Sequence, residues 1–181
     1  MSSAFLLAIA GVLVASGVAH LMHFARSRAA VVDQHVVPAH LASLVVSGVV
    51  VLELVLGVGT LTAVLTGSSG QRIFALMCAA LFVAFAGYTH LAWLRRTDRD
   101  VLCACGVGEA PLGFWVTLRS WLLAGLAICA AVFASASTAW FERPAFEQIV
   151  MACAALSLSI AVTLLPTARA PLTTVRAGGL R

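Results

Sequence analysis

Residues 41–65 read LASLVVSGVVVLELVLGVGTLTAVL, a run whose only charged side chain is Glu53, close to its middle. A helix needs ~20 predominantly apolar residues to cross the ~30 Å hydrocarbon layer of a bilayer, and this run exceeds that length. Apolar and polar positions do not alternate along it, which excludes the shorter two-faced strands of a membrane barrel. A helix that is apolar on every side is solvated by lipid or by a large protein interior, and a chain of 181 residues has room only for the first. Four more runs of the same kind surround it, at 4–24, 73–94, 114–135 and 145–165. The expected fold class is therefore an all-α integral membrane protein, a bundle of about five transmembrane helices with a four-helix core plus one. The reading places a single bundle over 1–165 and a short basic tail over 166–181, with membrane lipid as the first partner.

Composition points the same way. The chain is 62% hydrophobic and 10% charged, with a mean hydropathy of +1.06. Soluble domains are about half apolar and about a quarter charged. A soluble enzyme, a disordered linker and a disulfide-rich secreted scaffold are excluded. The formal net charge is +4, and all eleven cations are Arg. They are spread over the connections rather than gathered in a stripe, so nucleic acid is not an expected partner.

The boundaries carry their own signals. Gly67, Ser68, Ser69 and Gly70 separate the second run from the third, while Pro144 and Pro166 bracket the fifth. Trp93 and Trp115 mark run ends, and Trp140 falls in a connection, as interfacial aromatics do. The first run has no cation before Arg26 and is too long for the apolar part of a cleaved signal peptide. One side of the membrane would hold Arg26, Arg28, Arg95, Arg96, Arg99, Arg169, Arg176 and Arg181, against Arg72 and Arg143 on the other. The positive-inside rule makes the richer side cytoplasmic, with the N-terminus outside. On this reading 25–40 is a loop on the cytoplasmic side.

The connection at 95–113 holds the chemistry. Cys103 and Cys105 stand one residue apart just before the fourth run, followed by Gly106 and Gly108. Cys78, Cys129 and Cys153 lie inside runs, where a lone cysteine acts as a small apolar filler. A Cys-x-Cys pair can close a short disulfide if the backbone bends to bring the Cα atoms within ~7 Å, and neighbouring glycines allow that bend. A tight, exposed ring of this kind is strained and exchanges readily. The same two thiolates could hold a soft ion such as Cu(I). A helix N-terminus nearby favours thiolate, and Arg95, Arg96, Arg99 and Arg119 add positive charge. The bland alternative is a pair of loop thiols kept reduced by a cytoplasmic pool.

The stretch from Tyr88-Thr89 through Cys103-Ala104-Cys105-Gly106 to Phe114-Trp115 and Arg119 resembles the MauE/DoxX-like redox-associated membrane proteins, a family named for a membrane protein of methylamine utilisation. Glu53, with Gly57 after it, matches the family's glutamate in span two. Gly106-Val107-Gly108 stands where the family has Phe-Gly, and Ser120 where it has Asn. The resemblance implies thiol–disulfide traffic in the maturation of exported client proteins, beside a thioredoxin-like partner, in the bacterial inner (plasma) membrane. The arrangement is also similar at fold level to bundles of the vitamin K epoxide reductase type, in which a dithiol near a helix end reduces a quinone.

Glu53 sits at the worst depth for a carboxylate, where a charge costs roughly 2.5–3.5 kcal/mol on insertion scales. It must face the bundle interior and be neutral or paired. Glu53, Gly57 and Thr60 share one helical face. That face serves either a proton relay, or a contact to a quinone head group, or simply an interhelical hydrogen bond. His20, His23, His35, His40 and His90 all fall toward the cation-rich side, with His20 and His23 on a face with Ser16. Together with the thiols they could bind Cu or Zn, although histidine is common at interfaces.

The expectation is a redox-active dithiol, Cys103/Cys105, supported by Arg119 and served by Glu53. It would pass electrons between a thioredoxin-like partner or a quinone and client proteins. The alternatives are Cu or Zn handling, and a structural subunit of a membrane oxidoreductase complex.

Overall fold

A computed structural model describes residues 2–95, 113–133 and 139–168. Cys103 and Cys105 lie outside the described residues, as does 169–181 of the expected basic tail. The helices are α1 (Ser2–Met22), α2 (Phe24–Asp33), α3 (Ala42–Thr66), α4 (Gln71–Arg95), α5 (Phe114–Phe133) and α6 (Ala145–Ala168), with short 3-10 turns at Ala39–Leu41 and Trp140–Glu142. No strand occurs among the described residues. Five of the helices are long and apolar enough to span a membrane, and α2 is not. The protein is an all-α, multi-pass membrane protein.

Successive spans run antiparallel. Gly67 takes a left-handed conformation (φ 65°) after α3. Its N–H reaches the Val64 carbonyl and the next N–H, from Ser68, reaches Ala63. This pair of bonds is the Schellman arrangement, which satisfies helix-end carbonyls and reverses the chain. α1 lies at the centre, touching α3, α5 and α6, while α4 packs along α5 and along part of α3. The core runs through Ile9, Leu13, Leu56, Cys78, Phe82 and Ala127. Small residues bring the helices together, as expected where lipid removes any hydrophobic drive for association. α6 lies outside the four-helix core and leans on α1, where the Ser159 hydroxyl donates to the Ala8 carbonyl. Large side chains facing outward, such as Val51, Val55, Ile73, Val132 and Ile160, form the lipid-facing surface.

Two expectations need correction. The segment 25–40 is not a plain loop: α2 fills most of it. The chain bends at His23 (φ −115°, ψ 35°) without proline or glycine. Beyond the bend Arg26, Arg28 and Asp33 cannot continue into hydrocarbon. α2 therefore folds over the end of the bundle and buries Val31 beside Ala42, Val46 and Val50 of α3. Secondly, α6 does not stop at Pro166 but continues to Ala168. Proline's fixed φ is compatible with a helix, and the helix runs only two residues past Pro166, so the bond it forfeits lies in the last turn.

Candidate functional site

A cavity of about 410 Å³ lies within the half of the bundle that α2 covers, walled by α1 to α5. Its walls are largely Val, Leu and Phe. Into this apolar space project Ser16 and His20 from α1, Ser27 and Gln34 from α2 and its end, Glu53 from α3, Tyr88 and Thr89 from α4, and Arg119 and Ser120 from α5.

Glu53 is the organising group. It sits eleven residues beyond the first residue of α3, roughly 17 Å along the helix, and is 2% exposed. Two glycines let α1 approach closely enough to meet it. A Cβ on Gly17 would lie 3.0 Å from the Leu54 side chain, and one on Gly57 would lie 2.8 Å from Val14 Cγ2. At this contact the Ser16 hydroxyl donates to Glu53 Oε1 at 2.8 Å. Glu53 Oε2 has no hydrogen-bond partner. His20 Nε2 lies 4.0 Å from it.

His20 is held from its other side, where Nδ1 lies 3.0 Å from Ser27 Oγ across the α1–α2 bend. The other ring nitrogen, Nε2, faces Glu53, and which nitrogen carries the proton follows from the direction of the Ser27 contact. Arg119, buried on α5, is within Coulombic reach of both the Glu53 carboxyl and the His20 ring. Opposite charges in one apolar cavity attract, which recovers part of the cost of leaving water. A second pair closes the α2 side, where the Tyr88 hydroxyl donates to Gln34 Oε1 at 2.6 Å.

The cavity lining reaches the outer surface of the bundle. Leu52 of α3 and Ala84 of α4 both line it and both are exposed on the lipid-facing surface. Nearer their shared turn the same two helices are closed by Gly59 against the Phe74 ring and by Thr60 Oγ1 beside Cys78 Sγ at 3.4 Å. The α3–α4 hairpin is thus tight at its turn and parted toward the α2 end.

Of the residues singled out from the sequence, Glu53 and Arg119 meet in this cavity, and His20 joins them. Cys103 and Cys105 lie outside the described residues. The chain leaves α4 at Arg95 and returns at Gly113, at the end covered by α2, and Tyr88 and Arg119 lie within about two turns of those points. The histidines do not gather. The bend at His23 removes that residue from the face of Ser16 and His20, so His23, His35, His40 and His90 are exposed while His20 is buried. The His90 ring meets that of Trp93 in a tilted contact, with centroids 5.8 Å apart. Among the described residues no group of three or more His, Cys, Asp or Glu side chains is placed to hold a metal. Cys78 is buried core, and Cys129 and Cys153 are exposed toward lipid.

Ser27 and Gln34 were not expected at the site, because 25–40 reads as a loop. Their signal was present: Ser27, Val31 and Gln34 share one face at i, i+4 and i+7, and all three are buried.

No curated protein and no solved structure matched the chain. A family model did match, over residues 1–137, which takes in α1 to α5 and the Cys-x-Cys segment and stops short of α6. The matched span contains every wall of the cavity, Glu53 and Arg119 included. On that coverage the chain belongs to the family described as methylamine utilisation protein MauE.

Proposed function

We propose that this protein is a membrane thiol–disulfide redox accessory protein, in which Cys103 and Cys105 pass electrons between a thioredoxin-like partner or a quinone and client proteins during their maturation. Family membership fits a membrane accessory protein in methylamine utilisation. The observation that carries the finer reading is a cavity holding Glu53, His20 and Arg119 inside the bundle end from which the Cys-x-Cys segment departs. A buried carboxyl, imidazole and guanidinium in apolar surroundings are costly, and ionisable groups kept there at that cost serve a task. Proton handling beside a dithiol is such a task.

In the proposed cycle a thiolate of the pair attacks a partner disulfide and forms a mixed disulfide, and the neighbouring cysteine resolves it. One S–S bond opens for each that closes, and each exchange moves two electrons. Cys103 and Cys105 end joined, the partner ends as a dithiol, and the reverse sequence oxidises a client. Arg119 supports the thiolate electrostatically and Glu53 takes or returns a proton. The proposed location is the bacterial inner membrane.

The test is complementation of a deletion strain with Cys103→Ser/Cys105→Ser protein, scored by client maturation and by an alkylating mass tag on the two thiols. The expected result is loss of maturation and, in wild type, a redox-dependent change in tag number. Full restoration by the double variant would overturn the reading.

A further inference from the structure

We propose that the cavity is a binding site for a membrane-dissolved quinone, which reaches it sideways between α3 and α4 and hydrogen-bonds through its ring oxygens to Glu53 and to the polar groups opposite. The proposal deepens the redox reading by naming the electron acceptor and placing it, and it rests on that reading only for the electron-transfer step.

Three observations carry it. The mouth is formed by side chains that also face lipid, Leu52 at 48% exposure and Ala84, so the occupant must dissolve in hydrocarbon. The interior holds an orphaned polar atom, Glu53 Oε2, on a side chain 2% exposed. Leaving such a group without a partner is costly, and an acyl chain filling the cavity would leave it so. The occupant must therefore carry hydrogen-bonding atoms on an apolar frame. The third observation is the charge balance. Among the lining residues Arg119 is the one permanent cation, and the Glu53 carboxyl shares the cavity with it. A phosphate head group would need a second unpaired cation, and no other lies among the lining residues.

A quinone meets these requirements in both of its states. Its carbonyls accept hydrogen bonds, and the hydroxyls of the quinol donate them. A carboxyl and an imidazole can each do either, depending on where the proton sits. Arg119 donates only, and so supports the oxygen as charge builds on it during reduction. A volume of about 410 Å³ lies within the range of small-molecule sites and admits a ring with the first part of its tail. In the electron-transfer step the Cys103/Cys105 dithiol loses two electrons and two protons and gains an S–S bond. The quinone takes both electrons and both protons and becomes the quinol.

The experiment uses the full chain in phosphatidylcholine nanodiscs and a photoreactive azido-benzoquinone with a short alkyl tail. Labelled residues are mapped by mass spectrometry, with decylubiquinone and oleate as competitors. Labels on cavity-lining residues that decylubiquinone displaces and oleate does not are the expected result. Ala84→Trp, which plugs the mouth, should cut labelling about tenfold or more, whereas Val83→Trp on the lipid-facing side of α4 should not. Glu53→Gln should weaken competition about tenfold, the equivalent of one hydrogen bond to a charged group. Leu52→Trp repeats the plugging test should Ala84→Trp fail to fold. Equal labelling in the two α4 variants, labels spread over the lipid-facing surface, or displacement by oleate would overturn the site. Labelling of Cys103→Ser/Cys105→Ser protein should match wild type, because binding does not need the thiols. If that variant still matures clients while labelling persists, the redox reading falls and the site stands. Maturation that depends on the thiols without cavity labelling has the opposite meaning.

Discussion

Replacing Gly57 by alanine tests the geometry on which the site depends. An added Cβ would stand 2.8 Å from Val14 Cγ2, 3.1 Å from the Val14 backbone nitrogen and 3.2 Å from Leu13 Cβ. Carbon atoms pack at about 3.5–4.0 Å, so the methyl of Val14 is closer than that by roughly 0.7 Å or more. Rotating Val14 relieves the first contact but not the second, because a backbone atom does not move with χ1. α1 and α3 must therefore part, and the nearest polar contact across that seam is the 2.8 Å bond from Ser16 to Glu53. Overpacking costs about 1–3 kcal/mol. Loss of an interhelical hydrogen bond in a membrane adds about 0.6 kcal/mol. Glycine to alanine also raises helix propensity by up to about 1 kcal/mol, and that gain must be removed from the comparison. Gly48→Ala and Gly87→Ala do this, since an added Cβ at either position meets nothing within 4 Å. Reversible unfolding in mixed micelles with increasing SDS should show Gly57→Ala about 2–3 kcal/mol less stable than either control. If all three variants unfold together, the α1–α3 approach is wrong, and the placement of Glu53 against Ser16 goes with it.

Two further outcomes follow from the hydrogen bonds around the cavity. Ser16→Ala should lower stability by about 0.6–1.7 kcal/mol in the same unfolding assay. The loss should shrink in a Glu53→Leu background, where no carboxyl remains to accept; an unchanged loss would mean that Ser16 stabilises through packing alone. Tyr88→Phe removes the 2.6 Å bond to Gln34, which ties α4 to the end of α2, and should cost about 0.5–1.5 kcal/mol. Hydrogen exchange should then quicken at α2 amides and stay unchanged at the α3–α4 turn, and uniform exchange across the two would refute the tie.

The number and kind of the spans could be read from the sequence because lipid imposes a simple constraint. Every backbone polar group must be satisfied within its own segment, so length and continuous apolarity suffice to recognise a helix. Gly67 was legible for a related reason, since a residue with positive φ is needed to end α3 and reverse the chain. α2 was not legible by this route. It is ten residues long and mixes Arg26, Arg28 and Asp33 with Phe24, Val31 and Val32, so it lacks both the length and the purity of a span. What makes it a helix is tertiary: the start of α3 offers Ala42, Val46 and Val50 as a surface on which Val31 can be buried. Pro166 marks the end of α6 to within two residues rather than at the proline itself, because its fixed φ is compatible with the last helical turn.

The site was legible only as far as its charges. Glu53 at mid-span and Arg119 about a turn into α5 stand out because ionisable residues are rare in apolar runs, and each must face inward. That both line one cavity depends on which helices are neighbours, and a sequence of five similar apolar runs leaves this open. The contacts are decided by side chains with little signal of their own. Gly17 and Gly57 set how near α1 comes to α3, and only then does Ser16 become the donor to Glu53 rather than another small residue in a span. His20 shows the same dependence. On a straight helix it shares a face with His23 and invites a metal reading. The bend at His23 separates the two rings and brings Ser27 to Nδ1 instead, which turns Nε2 toward the orphaned carboxyl oxygen. One change of backbone direction thus exchanges a histidine pair at a membrane edge for a histidine–glutamate pair inside a cavity. It is this exchange that brings the buried polar groups of the bundle to one cavity.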